Sequence, residues 1–180
     1  MPDCRARVGW EVVAIGGVEQ LNAAREEDAE RDLLACCASR RWAAAVLAGR
    51  PYRDAAALTA LSNATLEALD WADIRQALAA HPQIGEQAAG TGREADWSRR
   101  EQSAAATPDA DLRAALTAGN VEYLRRFGHV FLICATGLPA EEILAALHRR
   151  LGNDEATERE VVRDELTRIV RLRLARLVAG

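Results

Sequence analysis

HVFLICATG, His129 to Gly137, is the run on which the fold class turns. From Val130 to Cys134 it is apolar without a break, and here alone a strand pattern competes with a helical one. The segments on either side all read as helix. A strand without a partner among helices leaves its ladder groups unpaired, so the expectation is a buried helical turn within an all-α chain.

Working outward, PDADLRAALTAGNVEYLRRFG reads as a long helix with Pro108 near its first position and Gly128 at its end. On the other side, PAEEILAALHRRL ends at Gly152 and Asn153, and DEATEREVVRDELTRIVRLRLARLVA supplies a long, charged last helix. Nearer the N-terminus, Asn22 is placed to cap AAREEDAERDLLACCAS, whose Ala29, Leu33, Cys36 and Cys37 share one face. Ser39 caps RRWAAAVLA, which stops at Gly49, and Asp54 caps DAAALTALS. NATLEALDWADIRQALAAH reads as two short helices broken around Asp70. PQIGEQAAGTGREA, between Pro82 and Asp96, is the longest loop, after which DWSRREQSAAA resumes a helix. The sum is a single compact, bundle-like, all-α domain of about eight helices over residues 18–180. Residues 1–17 form an N-terminal arm outside it. Trp42, Ile143, Leu144 and Leu147 belong to the core.

Composition excludes several functions. The 180 residues suit one domain, and a formal charge of −4 with a pI near 5.5 offers no basic footprint for nucleic acid. No stretch has the length of a membrane span, and the N-terminal apolar run is too short and interrupted for a signal peptide, so a cytoplasmic location is expected. Cys4, Cys36, Cys37 and Cys134 lack CxxC spacing and read as small buried hydrophobes rather than a disulfide frame or zinc site. All 23 basic residues are arginine. Without lysine there is no Schiff-base nucleophile, no pyridoxal-phosphate anchor and no Walker A lysine.

Chemistry concentrates around His81. A helix from Ala72 to Ala80 runs into His81 and then Pro82, which disfavours α geometry in the residue before it. The imidazole is either a polar cap on the helix dipole or a group aimed at a pocket. Beyond the loop, Ser98 and Glu101 in WSRREQ have the S-x-x-E spacing of a capping box. A helix start there also offers free N–H groups to an anionic ligand, and Glu101 could reach across the loop to His81, fixing its tautomer and raising its pKa. His129 and His148 form no HxxxH or HExxH pair, and no metal site is indicated.

These blocks, LNAAREEDAERDLLACCASRRWAAAVLAGRPY, AAHPQIGE, WSRREQSA, YLRRFGHVFLICATG and EILAALHRRLGNDEATERE followed by IVRLRL, resemble in order those of the OHCU decarboxylase family, from about Val18 to Val178. OHCU is 2-oxo-4-hydroxy-4-carboxy-5-ureidoimidazoline, the labile intermediate between urate and allantoin. The resemblance implies an all-helical, cofactor-free, usually homodimeric enzyme that converts this small molecule stereospecifically to (S)-allantoin. Carried over by motif, it makes His81 the catalytic acid and places Glu101 in the catalytic pair. Pro82, Ser98 and Gln102 fall beside the ligand, and the backbone of Phe131, Leu132, Ile133, Cys134 and Ala135 lies near the ureido-imidazoline. The arginine of the I-x-x-L-R-L pattern falls on Arg173, with Arg171 as the competing assignment. Where some relatives have arginine after ICA, this chain has Thr136 and Gly137, so no basic contact is expected there. A non-catalytic dimerisation or ligand-sensing module of the same fold is the alternative, since fold alone does not establish activity.

Overall fold

The computed structural model describes residues 17–85, 92–103 and 109–179. Among them are nine α-helices and no strand: α1 (Val18–Ala23), α2 (Glu26–Cys36), α3 (Arg40–Ala48), α4 (Ala55–Ala68), α5 (Trp71–Leu78), α6 (Arg93–Glu101), α7 (Ala110–Phe127), α8 (Ala140–Arg150) and α9 (Glu155–Ala179). The all-α expectation holds. The N-terminal arm up to residue 16, Cys4, Pro108 and the middle of the long loop lie outside the described residues.

Several helix starts follow the local chemistry. The Ser39 hydroxyl accepts from Trp42 N–H, and the Asp54 and Asp70 carboxylates accept from Ala57 and Asp73 N–H, as N-caps do. The break around Asp70 is therefore where expected, but α4 runs unbroken through Ser62 and Asn63. Buried Ser62 accepts from the Trp42 indole N–H, which rewards continuing the helix. Asn22 does not cap a helix: α1 and α2 are separate, and the Asn22 amide holds the Tyr52 backbone on both sides, at 2.8 Å each way. Asp109 caps α7, and left-handed Gly128 at φ 71° ends it.

α9 is the spine. It packs on α4, α2 and α1, and its Arg163 donates to the Leu66 and Leu69 carbonyls at the end of α4. One apolar cluster gathers Leu33, Trp42, Leu66, Ile74, Leu166 and Val170 from α2, α3, α4, α5 and α9. A second gathers Leu116, Tyr123, Ile143 and Leu147 from the α7–α8 pair. Trp42, Ile143 and Leu147 are in the core as expected, with Leu144 at its margin. Cys36 and Cys37 are free and fully buried, and burial pushes both thiols up to about 12.

The 130–135 segment corrects the expectation of a helical turn. It forms neither helix nor strand and lies between the two clusters. Phe131, Ile133 and Ala135 enter the α7–α8 cluster, while Val130, Leu132 and Cys134 pack on the larger one. Such alternation is the period of an extended chain, and no helical turn could serve two opposite cores with it. Side chains replace the missing ladder: Arg150 donates to the Leu132 carbonyl at 2.7 Å, and the Glu165 carboxylate accepts from Cys134 N–H at 2.8 Å. Arg150 is itself paired with Glu158, which also accepts from Asn153 and from the Tyr123 hydroxyl.

Glu158 is 1 % exposed, so removing its cation strands a buried charge. Arg150→Met should lower stability by about 3–5 kcal/mol in urea unfolding. Arg150→Met combined with Glu158→Gln should recover part of that loss.

Candidate functional site

The end of α5 decides where His81 points. The helix proper stops at Leu78, two residues short of the expected end, and a tighter turn follows with Ala80 N–H on Ala77 O and His81 N–H on Leu78 O. Pro82 then starts an extended exit. That exit is pinned twice: Asn120 of α7 donates to the Ile84 carbonyl at 2.9 Å, and Gln102 accepts from Gly85 N–H at 3.1 Å. His81 is left partly buried at the mouth of the turn.

Ser98 and Glu101 do not form a capping box. α6 begins at Arg93 after Gly92, so Ser98 is mid-helix and Glu101 is its last residue. The acidic residues Glu94 and Asp96 extend the helix back into what reads as loop, because they suit its positive end. The N-terminal N–H groups of α6 are therefore not at Ser98. Both side chains are buried and turned toward α9.

There Arg173 meets them. Its guanidinium spans the carboxylate of Glu101, Nε to Oε1 at 3.1 Å and a terminal nitrogen to Oε2 at 2.8 Å, and donates to the Ser98 hydroxyl at 3.1 Å. Its other terminal nitrogen donates to the Ala35 carbonyl of α2, and Arg176 adds a bond to Glu101 Oε1 at 2.8 Å. Arg171 is exposed and bonds Asn63 instead, so Arg173 is the arginine turned toward the site.

A narrow cavity forms where these parts converge. His81, Pro82, Ser98, Glu101, Gln102 and the residues Phe131, Leu132, Ile133, Cys134 and Ala135 line it, joined by Ile84, Thr136 and Ile169. Every expected site residue but Arg173 borders it. Arg173 stands one layer behind, against Glu101 and Ser98.

Sequence reasoning missed Ile84, Ile169, Arg150, Glu165 and Arg176. Ile169 and Arg176 lie four residues before and three after Arg173, a helical spacing that would have found them. Ile84, Arg150 and Glu165 carry no local signal. His129 is structural: its ring stacks edge-on against Trp71 and Tyr123, and its Nδ1 lies 3.0 Å from Val130 O. His148 is exposed on α8. Among the described residues no three His, Cys, Asp or Glu side chains group as a metal site requires.

One electrostatic expectation is reversed. Burial pushes the His81 pKa down, and the Arg173 charge adds to the shift. The sequence reading has Glu101 raise it through a hydrogen bond, but the carboxylate is turned toward Arg173 and Arg176 instead.

The family model described as OHCU decarboxylase matches residues 22–175 of this chain. A curated 2-oxo-4-hydroxy-4-carboxy-5-ureidoimidazoline decarboxylase from Amia calva is 35% identical over 144 residues, covering 76% of this chain and 79% of that protein. The chain belongs to the OHCU decarboxylase family. A crystal structure of OHCU decarboxylase in the presence of (S)-allantoin superposes with a TM-score of 0.72 at 26% identity, over 87% of this chain and all of that one. The uric acid degradation bifunctional protein TTL of Arabidopsis thaliana is 33% identical over 154 residues, and this member of the family spans 48% of its length.

A histidine with a depressed pKa takes up a proton on unfolding. Its contribution to stability is therefore complete above the ordinary value of 6.5 and is lost as pH falls below it. Nitrogen-15 NMR of the folded protein should find the His81 imidazole neutral at about pH 5.5, where an unperturbed histidine is mostly protonated.

Proposed function

We propose that the protein decarboxylates OHCU to (S)-allantoin in urate degradation, without a cofactor, as a cytoplasmic homodimer. The observation that carries the reading is the convergence of His81, the Glu101–Arg173 pair and the 131–135 backbone on one cavity in a chain of this family. No helix among the described residues is long and apolar enough to cross a membrane.

The substrate bears its carboxylate one carbon from a C=N bond. When CO2 leaves, the electron pair enters the ring and the C=N bond passes its own pair to nitrogen, so the substrate is its own electron sink. Neither a lysine Schiff base nor a bound cofactor is needed for that step. The protein must orient the carboxylate, stabilise charge arriving on the ring nitrogen and deliver a proton to one face.

In this reading neutral His81 accepts the proton of the 4-hydroxyl and returns it to the ureido-bearing carbon, which sets the S configuration. Glu101, held in one orientation by Arg173, accepts from a donor N–H of the ureido-imidazoline. Backbone groups of the extended segment meet the polar edge of the ring, since an extended chain without a strand partner exposes donors and acceptors a helix would use internally. Arg173 acts through Glu101 and Ser98.

Circular dichroism on freshly generated OHCU tests the proposal by the appearance of (S)-allantoin, which the spontaneous reaction does not enrich. His81→Ala should lower turnover by at least about a hundredfold with the fold intact, as for loss of a positioned acid or base. Near-normal turnover would leave His81 as a helix cap. Arg173→Lys replaces a two-point clamp by a point charge, and should cost up to about a hundredfold through misplacement of Glu101. Arg171→Lys should stay near wild type. A monomer in light scattering would remove the homodimer, and loss of activity on chelation, restored by one metal, would remove the cofactor-free mechanism.

A further inference from the structure

The proposed reaction takes up one proton from outside in every turnover. The substrate's 4-hydroxyl brings one proton, and the product carries two at the reacted centre, on the ureido-bearing carbon and on the ring nitrogen. The second must come from solvent. Neutral His81 holds none in store, and Glu101, among the described residues the one carboxylate lining the narrow cavity, already accepts from Arg173 and Arg176.

We propose that Glu94 supplies this proton, as a relay group behind His81. Two cavities meet at the imidazole. One is the narrow substrate cavity, and the other is an open cleft of about 290 Å³ bounded by His81, Pro82, Ser98, Ala95 and Glu94. Glu94 lies four residues before Ser98 and seven before Glu101 on α6, so the three side chains form one stripe along the helix. Among the described residues no side chain or backbone group hydrogen-bonds its carboxyl, and the cleft is wide enough for water that Glu94, Ser98 and His81 can bind.

Its surroundings shift the balance toward the protonated form. Burial pushes the Glu94 carboxyl above the ordinary range, Glu101 adds to the shift, and Arg173 opposes it. The groups facing it are His81 in the cleft and Glu101 and Arg173 beyond. In the relay the Glu94 O–H proton passes through water to the imidazole as the imidazole gives one to the ring nitrogen of the substrate. Solvent then reprotonates Glu94 from the open side.

A carboxylate in a first helical turn also favours the helix, so the test needs a readout beyond rate. The inference rests on the decarboxylase reading, and a wild-type protein that forms no (S)-allantoin from OHCU would overturn that reading itself. With an active wild type, Glu94→Gln should lower kcat by about tenfold or more at nearly unchanged KM. Its rate should then rise with the concentration of imidazole buffer, which substitutes for the missing acid, while the product remains S. Glu94→Asp should keep most of kcat without buffer dependence. Wild-type kcat in Glu94→Gln, or an equal fall in both variants with no buffer response, would overturn the relay.

Discussion

Arg173 of α9 and Glu101 of α6 are both buried, and the pair they form joins the helices around the site. Taking each charge out of water costs several kcal/mol, and only close, well-satisfied geometry offsets that cost. Here both carboxylate oxygens meet the guanidinium fork, Ser98 and the Ala35 carbonyl take further donors, and Arg176 completes Glu101. The consequence is positional. α6 is tied to α9 and to the end of α2, and one wall of the cavity becomes a carboxylate of fixed orientation.

Burial keeps His81 neutral, and the arginine of the same pair adds to the effect. A free carboxylate beside an imidazole would favour the cation. With Glu101 neutralised by two arginines, burial and the Arg173 charge dominate instead, and the imidazole stays neutral. A neutral ring can accept a hydroxyl proton, which a resident imidazolium cannot. Arg173 thus acts on the imidazole without bordering the cavity.

The opposite wall rests on a different constraint. The 130–135 segment must satisfy two apolar clusters at once, so it stays extended, and its polar groups must then find partners outside a sheet. Arg150 and Glu165 provide them from α8 and α9. Because Arg150 is held by Glu158 and Tyr123, a buried polar network behind the cavity wall fixes the register of the backbone groups there.

Local pattern alone settled the helical class, the Ser39 and Asp54 caps, the break around Asp70, the stop at Gly128, and the halt of α5 before Pro82. Each depends on residues within a turn of one another, whose hydrogen bonds the backbone itself dictates. The ordered blocks also identified the family, and the resemblance pointed to His81, Glu101 and the 131–135 run, which border one cavity. What local pattern misread was the start of α6, the conformation of 130–135 and the partner of Glu101. The start of α6 turns on its own acidic first turn, but in the other two cases the deciding group lies far along the chain: Arg173 is 72 residues from Glu101, and Glu165 is 31 from Cys134. A capping box and a buried salt bridge share the same glutamate, and spacing cannot say which wins. Only the tertiary structure does, because a charge buried against a distant arginine outweighs a hydrogen bond to its own helix.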